Sequence, residues 1–419
     1  MKIKTLKRNK LKKYGGIVLV FIAVIVTVVQ LTSRAKYRTT QSIKLARGTI
    51  NYTVPDLNLV SIYIEDNGIY KGTDTVPQSG YKLNYDKSYC AVNGNKDSSI
   101  TFDYNNEKLN VNNLTKKGTK CYLYFDKLSA KDTLAKFVGI NSILTRTDFS
   151  TILGTDTTGI IYSAEDDYGT SYYFAGNPTD NWVKFGEFYW RIIRINGDGT
   201  IRMIYQGTSA NTTGTGTQTA TSVFNGYSND NMYVGYQYTS GYVHGRGTDS
   251  TIKGVLDNWY NSNLSGYASK IATGGGANFC NDRTPYSGSG IGTNETYYAA
   301  YNRLASNKAP TLKCADTRDR FATSVGLITA DEVAYAGVVN GSNNFGYYLY
   351  TGHDYWTMAP CILNSNGIAG VFYVTSGGAL GGSIVDWTNP GVRPVINLKA
   401  DVSFSSGDGT ASNPYVVAN

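Results

Sequence analysis

Histidine is almost absent from this sequence, and other residues that build active sites are sparse. Only two histidines, five cysteines, nine prolines and four methionines occur among 419 residues. No C-x-x-C pair exists among Cys90, Cys121, Cys280, Cys314 and Cys361, and the histidines stand singly at His244 and His353. Zinc-type ligand spacing is therefore excluded, and no metal or other cofactor is expected. The chain also lacks a P-loop, a dinucleotide fingerprint and a G-x-S-x-G elbow. Charged residues make up only 17%, and acids are missing altogether from residues 1–47, which hold twelve Lys and Arg. The formal charge of +8 belongs to that stretch, because residues 48–419 carry 27 bases against 31 acids. The folded part therefore offers no electrostatic footprint for nucleic acid.

What is abundant is tyrosine, at 35 residues, and glycine, at 46, with Thr, Ser and Asn filling the loops. That mix favours β-rich, loop-rich architecture, and the length allows two or three domains with real cores. Residues 1–13 form a basic tail with seven positive charges, and residues 15–31 then run without a charge. With its flanks, 14–33, this run reaches the roughly 17–25 residues that span a bilayer. A polybasic flank followed by an apolar run orients the N-terminus inside, and no small-residue cleavage site follows. The expectation is an uncleaved signal-anchor at 14–33, a stalk at 34–49, and everything beyond outside the membrane. A pilin-like shaft would want a Glu early in the apolar run, and there is none.

Residues 50–127 alternate β-branched and aromatic residues with Asp-Asn-Gly, Asn-Gly-Asn and Lys-Lys-Gly turns, which predicts a small β-sandwich-like spacer. Residues 128–159 read as a linker with one or two short helices. A second fold then occupies 160–419. Phe188 to Ile195 and Thr200 to Gln206 flank Asn196-Gly197-Asp198-Gly199, a strong hairpin signal. Residues 250–264 predict a helix, with Ile252, Val255, Leu256 and Trp259 on one face and Asp249 or Ser250 as cap. Thr329-Ala330-Asp331-Glu332 is a capping box that opens a second helix through Tyr335. Helices, hairpin and long loops together give an expected fold class of α+β. In an exported chain Cys90 and Cys121, and Cys280 and Cys314, are free to form disulfides, with Cys361 left over. Sequence alone does not choose the connectivity.

The stretch from Tyr355 to Leu398 organises the rest. Its ends, Trp356 and Val392 to Leu398, read as core strands, and its middle as Gly/Ser/Asn loops. Taken in order, Phe188-Tyr189-Trp190-Arg191, Leu256-Asp257-Asn258-Trp259, Gly326-Leu327-Ile328-Thr329, Tyr355-Trp356-Thr357-Met358 and Gly391-Val392-Arg393-Pro394-Val395 resemble a widespread domain of bacterial surface proteins. The closing segment is similar to the formylglycine-generating-enzyme branch of the C-type lectin fold, and to variable proteins diversified by retroelements. The resemblance implies a C-type-lectin-like domain at 160–419. Its frame would be Trp356, Phe372, Val374, Leu380, Val385, Val392, Arg393 and Pro394. Its presented, ligand-binding residues would be Cys361, Ile362, Asn364, Asn366, Tyr373, Thr375, Ala379, Gly381, Ser383, Asp386 and Trp387.

The functional expectation is a single-pass protein of the bacterial cell membrane. Its extracellular face, residues 361–388, would bind a protein or glycan on another cell or a phage, with diversification by a retroelement as the implied source of variation. The rivals are a pilus-like structural subunit and a cell-envelope hydrolase. His353 lies eight residues before Cys361, which invites a Cys–His nucleophile. Proximity in sequence supplies neither an orienting third group nor a cleft, so no catalytic residue is assigned and an enzyme is not expected. His244 reads as a hydrogen-bonded or solvated loop residue, Asp166-Asp167 as a turn, and Asp331-Glu332 as a helix cap.

Overall fold

The computed structural model describes residues 59–418 apart from 67, 78–79, 106–107 and 140. The expected tail, signal-anchor and stalk at residues 1–49 lie outside the described residues. Strand accounts for 37% and helix for 16%, and the sheets are not closed. The expected α+β class, with a membrane helix, a small sandwich and a C-type-lectin-like domain, is therefore corrected to a mostly β chain. No helix among the described residues is long and apolar enough to cross a membrane. The physical reason lies in the composition. Tyr, Thr and Val repeatedly form strands, while Gly and Asn interrupt the stretches that would have lengthened the helices.

The described residues divide into two compact units, one within 59–63, 71–76 and 88–123, the other within 64–70, 77–87 and 124–418. In the first, β1 (Tyr89–Val92) runs antiparallel to the start of β4 (Thr119–Lys127), with Cys90 opposite Cys121. Those two cysteines form a disulfide, and Tyr89 stacks on Tyr122 with ring centroids 5.1 Å apart. Between them β2 (Thr101–Asn105) and β3 (Lys108–Asn112) make a hairpin, burying Leu109 and Val111.

The second unit begins its core with α1 (Ala130–Phe137), capped by Ser129 and Asp132 in a capping box. Leu134 and Phe137 enter the main core, where the Phe137 ring meets Phe404 and Tyr415. A nine-stranded sheet follows. Its strands include β5 (Ser142–Thr145), β6 (Ile160–Asp166), β7 (Gly169–Tyr173), β8 (Trp182–Phe185), β9 (Phe188–Ile195) and β10 (Ile201–Gly207). The predicted hairpin is β9–β10, and Ile195 pairs with Ile201 across the Asn-Gly-Asp-Gly turn. Every β10 side chain and six of the eight on β9 are buried, so this hairpin is central rather than half-solvated.

Helix α2 (Thr251–Asn263) starts at Ser250, whose side chain accepts from the Lys253 amide. Ile252 and Leu256 are fully buried, and Val255 and Trp259 pack on the same core. The Trp259 ring lies 6.3 Å from Trp190 and 5.7 Å from Tyr205. Residues 271–324 hold little regular structure and are stapled by the Cys280–Cys314 disulfide. Short β11 (Thr296–Tyr298) leaves that excursion, and α3 (Ala330–Tyr335) carries the predicted Thr329–Glu332 capping box.

A seven-stranded sheet holds the organising stretch. Here β11 pairs with β12 (Tyr355–Leu363), β12 with β13 (Ala369–Val374), and β13 with β14 (Leu380–Ile384). Two-residue β15 (Gly391–Val392) lies parallel to the start of β12. The chain then passes to β16 (Val395–Leu398), which joins the nine-stranded sheet beside β10. Finally β17 (Phe404–Ser406) and β18 (Tyr415–Val417) close that sheet's other side against β8.

Arg393 sits at the crossing between the sheets, with no exposed surface. Its guanidinium donates to Leu349 O at 3.2 Å, Tyr205 O at 3.1 Å and Gln206 Oε1 at 2.9 Å. It also lies 4.7 Å from the Tyr355 ring centroid. A lysine has one head group and cannot reach those acceptors together. Arg393→Lys is expected to cost about 2–4 kcal/mol of folding stability, read as a lowered urea midpoint with an unchanged slope.

Candidate functional site

The frame of the candidate site is built by burial. Trp356, Phe372, Val374, Leu380, Val385 and Val392 are all at most 1% exposed. On β12 the register shifts on either side of Pro360, so Cys361 bulges out of step while Ile362 pairs with Gly370. Across β13 and β14, Phe372 pairs with Gly382 and Gly370 with Ile384. Alternation puts Ile362, Gly370, Phe372, Gly382 and Ile384 on one face of this sheet.

That face is a groove because two of its positions are glycine. A Cβ at Gly382 would sit 2.8 Å from Cys361 Sγ, and one at Gly370 would sit 3.0 Å from Ser383 O. The open volume is about 400 Å³. Its floor is Cys361, Phe372 and Leu380, its apolar wall Ile362, Ile368 and Ile384, and its rim Asn340, Asn364 and Ser383, with Tyr301 on the lining as well. Ile368 is 37% exposed, which is high for an isoleucine beside a buried sheet.

Of the eleven expected ligand-facing residues, five line this groove: Cys361, Ile362, Asn364, Gly381 and Ser383. Cys361 is 3% exposed and is a floor residue rather than a presented one. Burial pushes its thiol up to about 12. The Asn364 side chain accepts from the amides of Asn366 and Ile368, each at 3.0 Å, and so holds the β12–β13 turn. Asn366 is exposed at the tip of that turn.

The other members lie elsewhere. Thr375 closes the β13–β14 turn, its hydroxyl accepting from the Ala379 amide at 3.1 Å, and Ala379 is itself buried. Tyr373 is half-buried, and its ring makes a T-shaped contact with Trp387 at 5.5 Å. Both rings also meet the edge of buried Trp356. Asp386 accepts from the Ser228 hydroxyl at 3.0 Å, tying the loop after β14 to a distant segment. The expected set therefore splits into a groove and an aromatic cluster.

Sequence reasoning missed Tyr301, Asn340, Gly341, Ile368 and Ile384, which also line the groove. Ile368 and Ile384 carried a local signal, as isoleucines among small polar loop residues. Tyr301 and Asn340 carried none, because they arrive from far along the chain.

The Cys–His idea does not gain a geometry. Cys361 Sγ faces Gly382, whereas His353 Nε2 faces Gly214. His244 is a loop residue whose Nδ1 lies 3.0 Å from Asp319 Oδ2. Asp166 accepts from the Tyr168 amide, as a turn acid should, and is also paired with Arg194.

The buried, protonated thiol makes a simple test. Native protein at pH 8 is expected to react with a disulfide reagent at Cys361 at least about 100-fold more slowly than the urea-unfolded chain. Equal rates would show that the sulfur is open to solvent. No family model, curated protein or solved structure matches this chain, so the groove's own geometry carries the functional reading.

Proposed function

We propose that this chain is a surface protein of a bacterial cell, anchored by its N-terminal apolar run, whose β12–β14 groove binds a protein partner on another cell or a phage. The observation that carries the reading is the groove itself. It is an open volume of about 400 Å³, with apolar walls and an Asn/Ser rim, over a floor of fully packed strands. Apolar pockets with polar rims, placed on rigid elements, are where interface anchors insert. A protein side chain suits Ile362, Ile368 and Ile384 better than a sugar does, because these walls offer apolar area and few hydrogen-bonding groups.

Preorganisation supports the same reading. The turns on either side of the groove are closed by their own side chains, Asn364 in one and Thr375 in the other. Binding then orders little that was not already ordered. Anchorage rests on the twelve bases of residues 1–47 and the uncharged run at 15–31. Variation within residues 361–387, written in from a template copy, is part of the proposal through the resemblance to retroelement-diversified proteins.

The full chain, displayed on cells, is to be screened against intact bacteria, phage particles and their separated surface proteins. Saturable binding to one protein species is expected. Ile368→Asp places a charge on the exposed wall and is expected to weaken that binding by about tenfold or more. Gly382→Val, which fills the groove, should do the same. Capture of purified polysaccharide in place of protein, or binding indifferent to both variants, would sink the protein-binding reading. Sequencing the gene from many cells of one lineage tests the diversification separately. Substitutions concentrated at codons 361–387 beside a near-copy of that stretch are expected, and a uniform gene without such a copy would remove that part.

A further inference from the structure

The second unit holds another cavity, of about 50 Å³, which shares no lining residue with the groove. Half of its lining residues are charged, and most of those charges are buried. Arg194, Arg202, Asp166, Asp282, Asp331 and Glu332 are each 7% exposed or less. Exposed Lys313 and Tyr168 also lie on the lining and mark its mouth.

The ion pairs here are shared unevenly. Two guanidiniums lean on one carboxylate oxygen, with Arg194 Nε at 2.9 Å and Arg202 Nε at 2.5 Å from Glu332 Oε1. Arg194 has a further partner in Asp166 at 2.9 Å. Arg202 has instead the Phe279 ring, 4.2 Å from its guanidinium carbon, and a distant carbonyl at Leu327. Its Nη1 has no hydrogen-bond partner among the described residues. The reverse arrangement holds at Arg303, whose Nη2 serves two carboxylates, Asp282 at 2.6 Å and Asp331 at 2.8 Å. There Asp282 Oδ1 is the atom left without a partner.

One cavity thus contains a buried cationic donor and a buried anionic acceptor, both unsatisfied. Such groups are rare because each costs the desolvation it never recovers. We infer that this cavity is a site for a small zwitterion of about the size of glycine, its carboxylate accepting from Arg202 and its ammonium donating to Asp282. An anion alone would leave Asp282 Oδ1 without a partner, and a cation alone would leave Arg202 Nη1 without one. Burial already pushes Asp282 up to about 6 and Arg202 down to about 10, so each charge lacks full compensation. A water needs about 10–15 Å³ of such space, so the cavity takes a few non-hydrogen atoms and no large side chain. The Cys280–Cys314 disulfide joins two of the lining segments and keeps the pocket's dimensions fixed.

The test titrates the full chain, held in mild detergent, with glycine up to about 10 mM, and with acetate and methylammonium separately, by calorimetry and thermal melting. Saturable heat and a raised melting temperature are expected with glycine, with either half-ligand at least about tenfold weaker. Asp282→Asn keeps the side-chain shape and should lose at least about tenfold in glycine affinity while keeping the wild-type circular dichroism spectrum. If that variant does not fold, the half-ligand comparison on the wild-type chain decides alone. No saturable glycine binding would mean that the cavity holds water only, and the proposal would fall. Acetate binding as tightly as glycine, or a folded Asp282→Asn that binds glycine normally, would overturn it equally.

Discussion

The buried guanidinium of Arg393 is the contact on which the second unit's architecture depends. The chain leaves the seven-stranded sheet at Val392 and joins the nine-stranded one at Val395, and Arg393 fills the step between them. A charge without exposed surface is costly unless its donors are met, and here two carbonyls, one amide oxygen and an aromatic face meet the two terminal nitrogens, while Nε has no partner among the described residues. Those acceptors come from β10, from the segment before β12 and from β12 itself. One side chain therefore fixes three elements against each other, and with them the orientation of the sheet that carries the groove.

The groove follows from that fixed sheet and from two glycines. Large residues at 370 or 382 would close it, because a Cβ at either position already crowds a neighbouring atom. The surrounding loops gain definition locally, from Asn and Thr side chains that bond to main-chain amides within their own turns. The charged cavity is organised on the opposite principle. It concentrates ion pairs in the interior, where shared partners leave a donor and an acceptor open. Apolar complementarity therefore governs one site and polar complementarity the other.

Several elements were legible in the sequence for stated reasons. The β9–β10 hairpin was written in its Asn-Gly-Asp-Gly turn, α2 in the spacing of Ile252 and Leu256, and the start of α3 in its capping box. The frame residues were readable because long apolar side chains at the ends of the organising stretch have nowhere to go but the core. The fold class was misjudged because each helix signal is strong but short, and the many short strands hidden in Gly/Ser/Asn segments outweigh them. Asp331 and Glu332 looked like a helix cap and are one. Their ion pairs with Arg303, Arg194 and Arg202 depend on residues that sequence order keeps at least 28 positions away.

By itself the sequence determined the local rules of this protein: where the chain turns, where helices start, which side chains must be buried, and the concentration of positive charge at its N-terminus. Those depend on interactions within a few residues. The tertiary structure alone decided that Tyr301 and Asn340 meet Ile362 around one groove, that Tyr373 and Trp387 form a separate cluster, and that Arg202 and Asp282 line a single cavity. Such meetings arise from how strands far apart in sequence pair and how sheets join, and a single chain's periodicity does not encode which distant segment fills a given gap.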